Sequence, residues 1–171
     1  FPDVTRIPVG LLGADYEVAN NRYRFVKIYN GENWDPNLKA PLTQPGLNIQ
    51  TGDYLLAVNG VALDAAENLF GRFDRMAGKQ TRLLINSRPD TVGAREVVVV
   101  PVSDESGLRR LDWVESNRRK VNELSGGKLA YVWLPDTGED GYRYFNRWYF
   151  AQKDKKGAII DERFNGGGFV A

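Results

Sequence analysis

Up to about residue 103 the chain alternates. Short runs in which apolar and polar side chains take turns are separated by Gly, Pro and Asn, the pattern of strands buried on one face. Tyr23-Arg24-Phe25-Val26-Lys27-Ile28-Tyr29 is such a run. Asn20-Asn21 before it tolerates positive φ and predicts a hairpin turn from a strand at about residues 14–18. Residues 52–60 read as an apolar strand closed by Asn59-Gly60, and residues 83–86 and 95–100 as two more strands. Between them, Leu69, Phe70, Phe73 and Met76 fall at i, i+1, i+4 and i+7. That stripe predicts an amphipathic helix over residues 64–77, weakened at Gly71. This part is expected to hold five or six strands and one main helix.

Beyond residue 103 the period changes. Leu111, Val114, Val121 and Leu124 recur at spacings of three and seven, within a basic surround of Arg109, Arg110, Arg118, Arg119 and Lys120. A solvated helix face accounts for that basic cluster. Ser125-Gly126-Gly127 stops the helix. A strand at 128–134, an aromatic-rich helix at 142–152 and a strand at Ala158-Ile159-Ile160 follow. The last is continuously apolar, as expected when both sheet faces are covered. Strand, helix, strand predicts a parallel βαβ unit with a right-handed crossover. The expected domains are residues 1–103, an α+β module, and residues 104–171, a partial α/β core.

Charge and composition narrow the function. Lys and Arg number 23 against 22 Asp and Glu, a net charge of +1, so nothing points to nucleic acid or an anionic membrane. No apolar run reaches the roughly 20 residues of a membrane span. Phe1-Pro2-Asp3 is not the start of a signal peptide, and the chain reads as beginning mid-protein. There is no Cys, which excludes a disulfide framework, a thiolate nucleophile and a thiolate-bound zinc. There is no His, so a Ser-His-acid relay cannot be completed within these residues. No metal or nucleotide cofactor is expected.

The sharpest local signal is Asp161-Glu162-Arg163-Phe164-Asn165-Gly166-Gly167-Gly168-Phe169. Three glycines at the exit of a parallel strand cost backbone entropy. They are expected where main-chain amides must stand bare against a ligand, for instance an oxyanion or a peptide backbone. A plain tight turn remains the alternative, and a phosphate loop is weaker because no Gly-Lys-Ser/Thr follows. Asp136, after Pro135, suits a helix cap better than catalysis, and Asp161 with Arg163 suits a brace for the loop. Trp133, Tyr142, Tyr144, Phe145, Trp148 and Tyr149 read as packing.

A second signal spans residues 9–103. Ala40-Pro41-Leu42, Pro45-Gly46-Leu47, Gly52-Asp53, an apolar strand and Asn59-Gly60, in that order, resemble the PDZ pattern of processing proteases. The resemblance implies a partly open β-barrel with one main helix. It also implies that Gly10, Leu11, Leu12, Gly13 and Ala14 form a carboxylate-binding loop, with peptide adding beside residues 14–18 and against residues 64–77. The loop departs from the usual Gly-Leu-Gly-Phe, and no imidazole is present to read a hydroxyl. An apolar-preferring or weak groove follows, or a domain that only packs on its own enzyme.

Trp113-Val114-Glu115-Ser116-Asn117-Arg118-Arg119, then residues 130–136, then residues 157–170 with the three glycines, resemble the C-terminal half of the tricorn protease family. Resemblance implies a serine peptidase that degrades oligopeptides by acyl transfer. Its histidine would precede the PDZ domain, and its serine and a further acid would follow the glycine loop. The chain is therefore expected to be an inactive fragment with no catalytic residue of its own. Gly166, Gly167 and Gly168 would be its contribution to substrate binding and the oxyanion site. The family further implies a homo-oligomeric parent and a cytoplasmic address, with a periplasmic or secreted one as the alternative. A non-catalytic PDZ peptide-binding module is the rival function.

Overall fold

A computed structural model describes residues 7–168 of the 171. The chain is mixed α+β and falls into two compact units, one ending at Leu111 and one beginning at Asp112.

The first unit is built on an open antiparallel sheet. Its strands are β1 (Ala14–Ala19), β2 (Arg22–Ile28), β3 (Tyr54–Val58), β4 (Val61–Ala62), β5 (Thr81–Asn86) and β6 (Arg95–Val99). The order is β1-β2-β3-β5-β6, with β4 paired to β3, and no barrel closes among the described residues. Both tight turns have the predicted chemistry. Asn20 and Asn21 (φ 52° and 57°) join β1 to β2, and Asn59 and Gly60 (φ 49° and 80°) join β3 to β4. Such left-handed pairs match the twist of hairpin strands. The alternation points one set of side chains inward: Phe25, Leu55, Leu83 and Ile85 are fully buried, with Leu12, Leu42, Leu63 and Phe73 around them.

The helix expected over residues 64–77 is not there. In its place a five-residue 3-10 turn runs over Leu69–Phe73. Of the apolar stripe, Leu69 and Phe73 are buried and Met76 packs on the core, but Phe70 is exposed. What prevents a helix is local competition for the backbone. Asp64 and Asn68 side chains accept from the amides of Ala66 and Phe70 (2.8 and 3.1 Å). Farther on, Asp74 bridges to Val9, and Arg75 adopts φ 59° while donating its amide to the Pro8 carbonyl.

In chain order the next element is helix α1 (Ser106–Leu124), stopped as expected by Gly126 and Gly127 at φ 60° and 76°. The second unit then pairs β7 (Leu129–Trp133) in parallel with β8 (Gly157–Asp161), joined through α2 (Glu139–Phe150). Helix α2 begins three residues earlier than the aromatic pattern suggested. Asp136 reaches it, accepting from the amides of Gly138 and Gly141 (2.9 and 2.7 Å), which makes it a cap. Val114, Tyr131 and Trp133 form the core here, with Trp113 and Tyr144 edge-on to Trp133 at 6.1 and 5.9 Å. The continuously apolar β8 was expected to be covered on both faces. Instead Gly157, Ala158, Ile159 and Ile160 are exposed, and only Asp161 is buried.

Candidate functional site

Two loops carry the chemistry, one in each unit. In the first unit, residues 10–14 thread between strands and are tightly held. The Gly10 amide donates to the Phe73 carbonyl (2.8 Å), and a Cβ on Gly10 would lie 2.8 Å from that of Pro101. Leu11 exchanges both main-chain bonds with Val102 (2.7 and 2.9 Å). Leu12 is buried in the core, and Ala14 opens β1. Gly13, at φ 72°, gives its carbonyl to the Tyr29 amide and its amide to a carboxylate oxygen, Glu105 Oε2 (both 2.8 Å).

That carboxylate belongs to a network. Glu105 Oε1 accepts from Arg109 Nε and Nη2 (2.8 and 2.5 Å). Arg109 Nη1 donates to Asp15 Oδ1 (2.7 Å) and to the Tyr29 hydroxyl (2.8 Å), which itself donates to Asp15 Oδ2 (2.8 Å). Burial works against the charge on Arg109, but hydrogen bonds to Glu105 and Asp15 outweigh it and hold the guanidinium above its ordinary range. Burial also works to raise the Asp15 carboxyl, and the bonds from Tyr29 and Arg109 reverse that, leaving it below its usual value. None of Glu105, Arg109, Asp15 or Tyr29 stood out as a site residue in the sequence. Glu105 and Arg109 carry one legible signal, an acid and a base four apart at a helix start. Their reach to Gly13 and Asp15 spans more than 90 positions and has none.

Beside this loop, the Phe70 ring stands edge-on to Tyr16 of β1 at 6.4 Å. A cleft of about 970 Å³ in the same unit, bounded by residues of 33–44, 77–78 and 98–107, is lined in part by Pro41, Pro101 and Val102, which touch the loop.

In the second unit the glycine loop leaves β8 at a braced residue. Asp161 accepts from the Tyr131 hydroxyl (2.6 Å) and from Arg163 through its amide, Nε and Nη2 (3.0, 2.9 and 2.5 Å). These bonds from Arg163, opposed by burial and helped by Tyr131, lower the Asp161 carboxyl to about 2. Burial and the same carboxylate push the Tyr131 hydroxyl up to about 12. Asp161 and Arg163 are thus the brace that the sequence suggested.

The loop itself corrects the expectation of three bare amides. The Gly166 amide donates to the Pro135 carbonyl (2.8 Å) and the Gly167 amide to Asn165 Oδ1 (2.7 Å). Thr137 donates to the Gly167 carbonyl (2.8 Å), and Thr137 and Gly168 form a parallel bridge. The loop therefore extends the β7–β8 pairing instead of standing open. Gly167 is needed for its φ of 86°, and Gly168 for close approach, since a Cβ there would fall 2.2 Å from Thr137 Oγ1. Only the Gly168 amide has no acceptor among the described residues. Phe169 and Val170, which end the motif, lie outside them. A cleft of about 700 Å³ in this unit runs beside Tyr131 and residues 159–163, and the three glycines do not line it. No group of three or more acidic side chains placed to hold a metal occurs among the described residues.

Comparison with known proteins bears on both loops. Residues 10–104 match the model of the tricorn protease PDZ domain. The chain is 34% identical over 167 residues to a tricorn protease homolog of Saccharolobus solfataricus, covering 96% of this chain and 15% of that one. It is 35% identical over 164 residues to tricorn protease homolog 1 of Streptomyces coelicolor, covering 95% and 15%. The crystal structure of the tricorn protease superposes with a TM-score of 0.83 at 30% identity, over 95% of this chain and 16% of that one. The chain thus spans less than a fifth of the length of these relatives.

Proposed function

Because the chain belongs to the tricorn protease family, we propose that it is the peptide-handling segment of a serine peptidase that degrades oligopeptides. Residues 1–103 are its PDZ-like part and residues 104–171 the first part of its α/β catalytic core. The nucleophilic serine and the histidine base come from outside these residues, and the reaction is acyl transfer through a seryl intermediate. The chain supplies the glycine loop, with the Gly168 amide the donor left free to meet the substrate carbonyl oxygen. Gly166 and Gly167 shape the loop and give their own amides only if it opens. The longer protein is a homo-oligomer and cytoplasmic. Among the described residues no helix is long and apolar enough to cross a membrane.

The observation that carries this reading is the likeness to the tricorn protease over nearly the whole chain. Incubation with fluorogenic oligopeptides tests it. The chain alone, with no His, is expected to give no turnover. The longer protein is expected to cleave, and to lose about a hundredfold in kcat or more when Gly167→Val turns the loop and misplaces its donor. Turnover by the chain alone would overturn the assignment of the missing parts.

A further inference from the structure

A glycine amide in the left-handed region, a carboxylate on it and a guanidinium behind that carboxylate are the parts of an anion site already filled. We infer that the Gly10–Ala14 loop is a carboxylate-binding site whose occupant is the chain's own Glu105. Glu105 Oε2 takes the Gly13 amide at 2.8 Å while Arg109 grips Oε1 twice. The Glu105 side chain is only 12% exposed, so it is a docked ligand and not a passing surface contact. Apolar packing seats it. Leu108, three residues on, is 1% exposed beside Tyr29 and Ala40, and its Cδ1 stands where a Cβ on Gly13 would lie 2.9 Å away. The pairing of a carboxylate with a buried apolar side chain is the chemistry that the end of a free peptide would offer.

The class of ligand follows. The site takes a carboxylate, an apolar peptide ending in a free carboxyl group being the candidate, and Glu105 must leave first. The folded chain is then closed to free C-termini by a clasp that lies within its first unit. This rests on the reading, implied by the PDZ resemblance, of residues 10–14 as a carboxylate-binding loop, and names what occupies it.

The test compares wild type with Glu105→Ala, using an apolar pentapeptide with a free C-terminus, the same peptide amidated, and sodium acetate against sodium chloride at equal ionic strength. The variant is expected to bind the free acid about tenfold or more tighter than wild type does, and to ignore the amide, since hydrogen bonds to a charged group are worth that much. Acetate, but not chloride, is expected to raise its thermal midpoint and to restore slow hydrogen exchange at the Gly13 amide. If Glu105→Ala does not fold, Glu105→Gln carries the comparison. It keeps an acceptor for Gly13 but loses the charge facing Arg109, so its preference for free acid over amide must exceed that of wild type. Equal binding of free acid by wild type and variant would overturn the self-occupancy while leaving the carboxylate loop standing. No acetate or peptide effect in the folded variant would overturn both.

Discussion

Two strands with continuous apolar runs meet opposite fates in this chain. In the first unit β3, Tyr54-Leu55-Leu56-Ala57-Val58, is buried at every residue, flanked by β5 on one side and by β2 and β4 on the other. In the second, the Ala158-Ile159-Ile160 run of β8 is exposed, with Ile159 at 40% and Ile160 at 42%. The difference is cover. The β7 edge is stoppered by Gln152, whose side chain donates to the Tyr131 carbonyl and accepts from its amide (3.0 and 3.2 Å). The far edge of β8 has no partner strand among the described residues. A two-stranded sheet is marginal alone. The second unit therefore leans on the Trp113-Trp133-Tyr144 cluster and on the Asp161 brace, while the first has a continuous core.

That contrast puts the largest loss in the first unit. Phe25→Ala removes a fully buried ring from the centre of the sheet and is expected to cost about 3–5 kcal/mol. Chemical denaturation followed by tryptophan fluorescence should see it as a shift of one transition. A cost below about 1 kcal/mol would mean that this core is not closed.

Next in size is the glycine loop. Gly168→Ala places a methyl 2.5 Å from the Thr137 carbonyl carbon, so the bridge must part. Overpacking of this kind costs about 1–3 kcal/mol. Amide exchange at Thr137 should quicken, because its bond to the Gly167 carbonyl goes with the bridge. Unchanged exchange would show that the loop does not pair as described.

Acid acts on the second unit through Asp161. Its folded carboxyl sits at about 2 against an ordinary 3.8, so the charged form is favoured by folding. The stability this gives is fully present above about pH 4 and is lost as pH falls toward 2. Asp161→Asn should remove that step from the acid titration of the Trp133 environment and leave the first unit's acid response unchanged.

How much of this was legible follows the same divide between pattern and cover. Alternation and turn chemistry placed all the strands but the two-residue β4, and both Asn-led turns, because those are local. The stripe named Leu69, Phe73 and Met76 as core, where they are, and Phe70, which is exposed; the helix failed, since Asp64, Asn68 and the bridge of Val9 to Asp74 compete for its backbone. The three glycines were legible as special but not as paired, for their partners Pro135 and Thr137 come from the other strand's exit. Glu105 was invisible because nothing near it in sequence reveals that Gly13 is its neighbour.

The smallest effect is the sharpest probe of the contrast. Ile160 belongs to an apolar strand, and if both its faces were covered, Ile160→Ala would cost about 2–5 kcal/mol, as in other cores. With 42% of its surface in water and only the wall of an open cleft against it, the side chain has less to lose. Under about 1 kcal/mol is expected. Val58→Ala in β3, at 3% exposure, is the control from the first unit and should cost clearly more. The pair separates composition from cover. A large loss at Ile160 would mean that something sits on β8 in solution, and a concentration-dependent midpoint would identify that cover as a second copy.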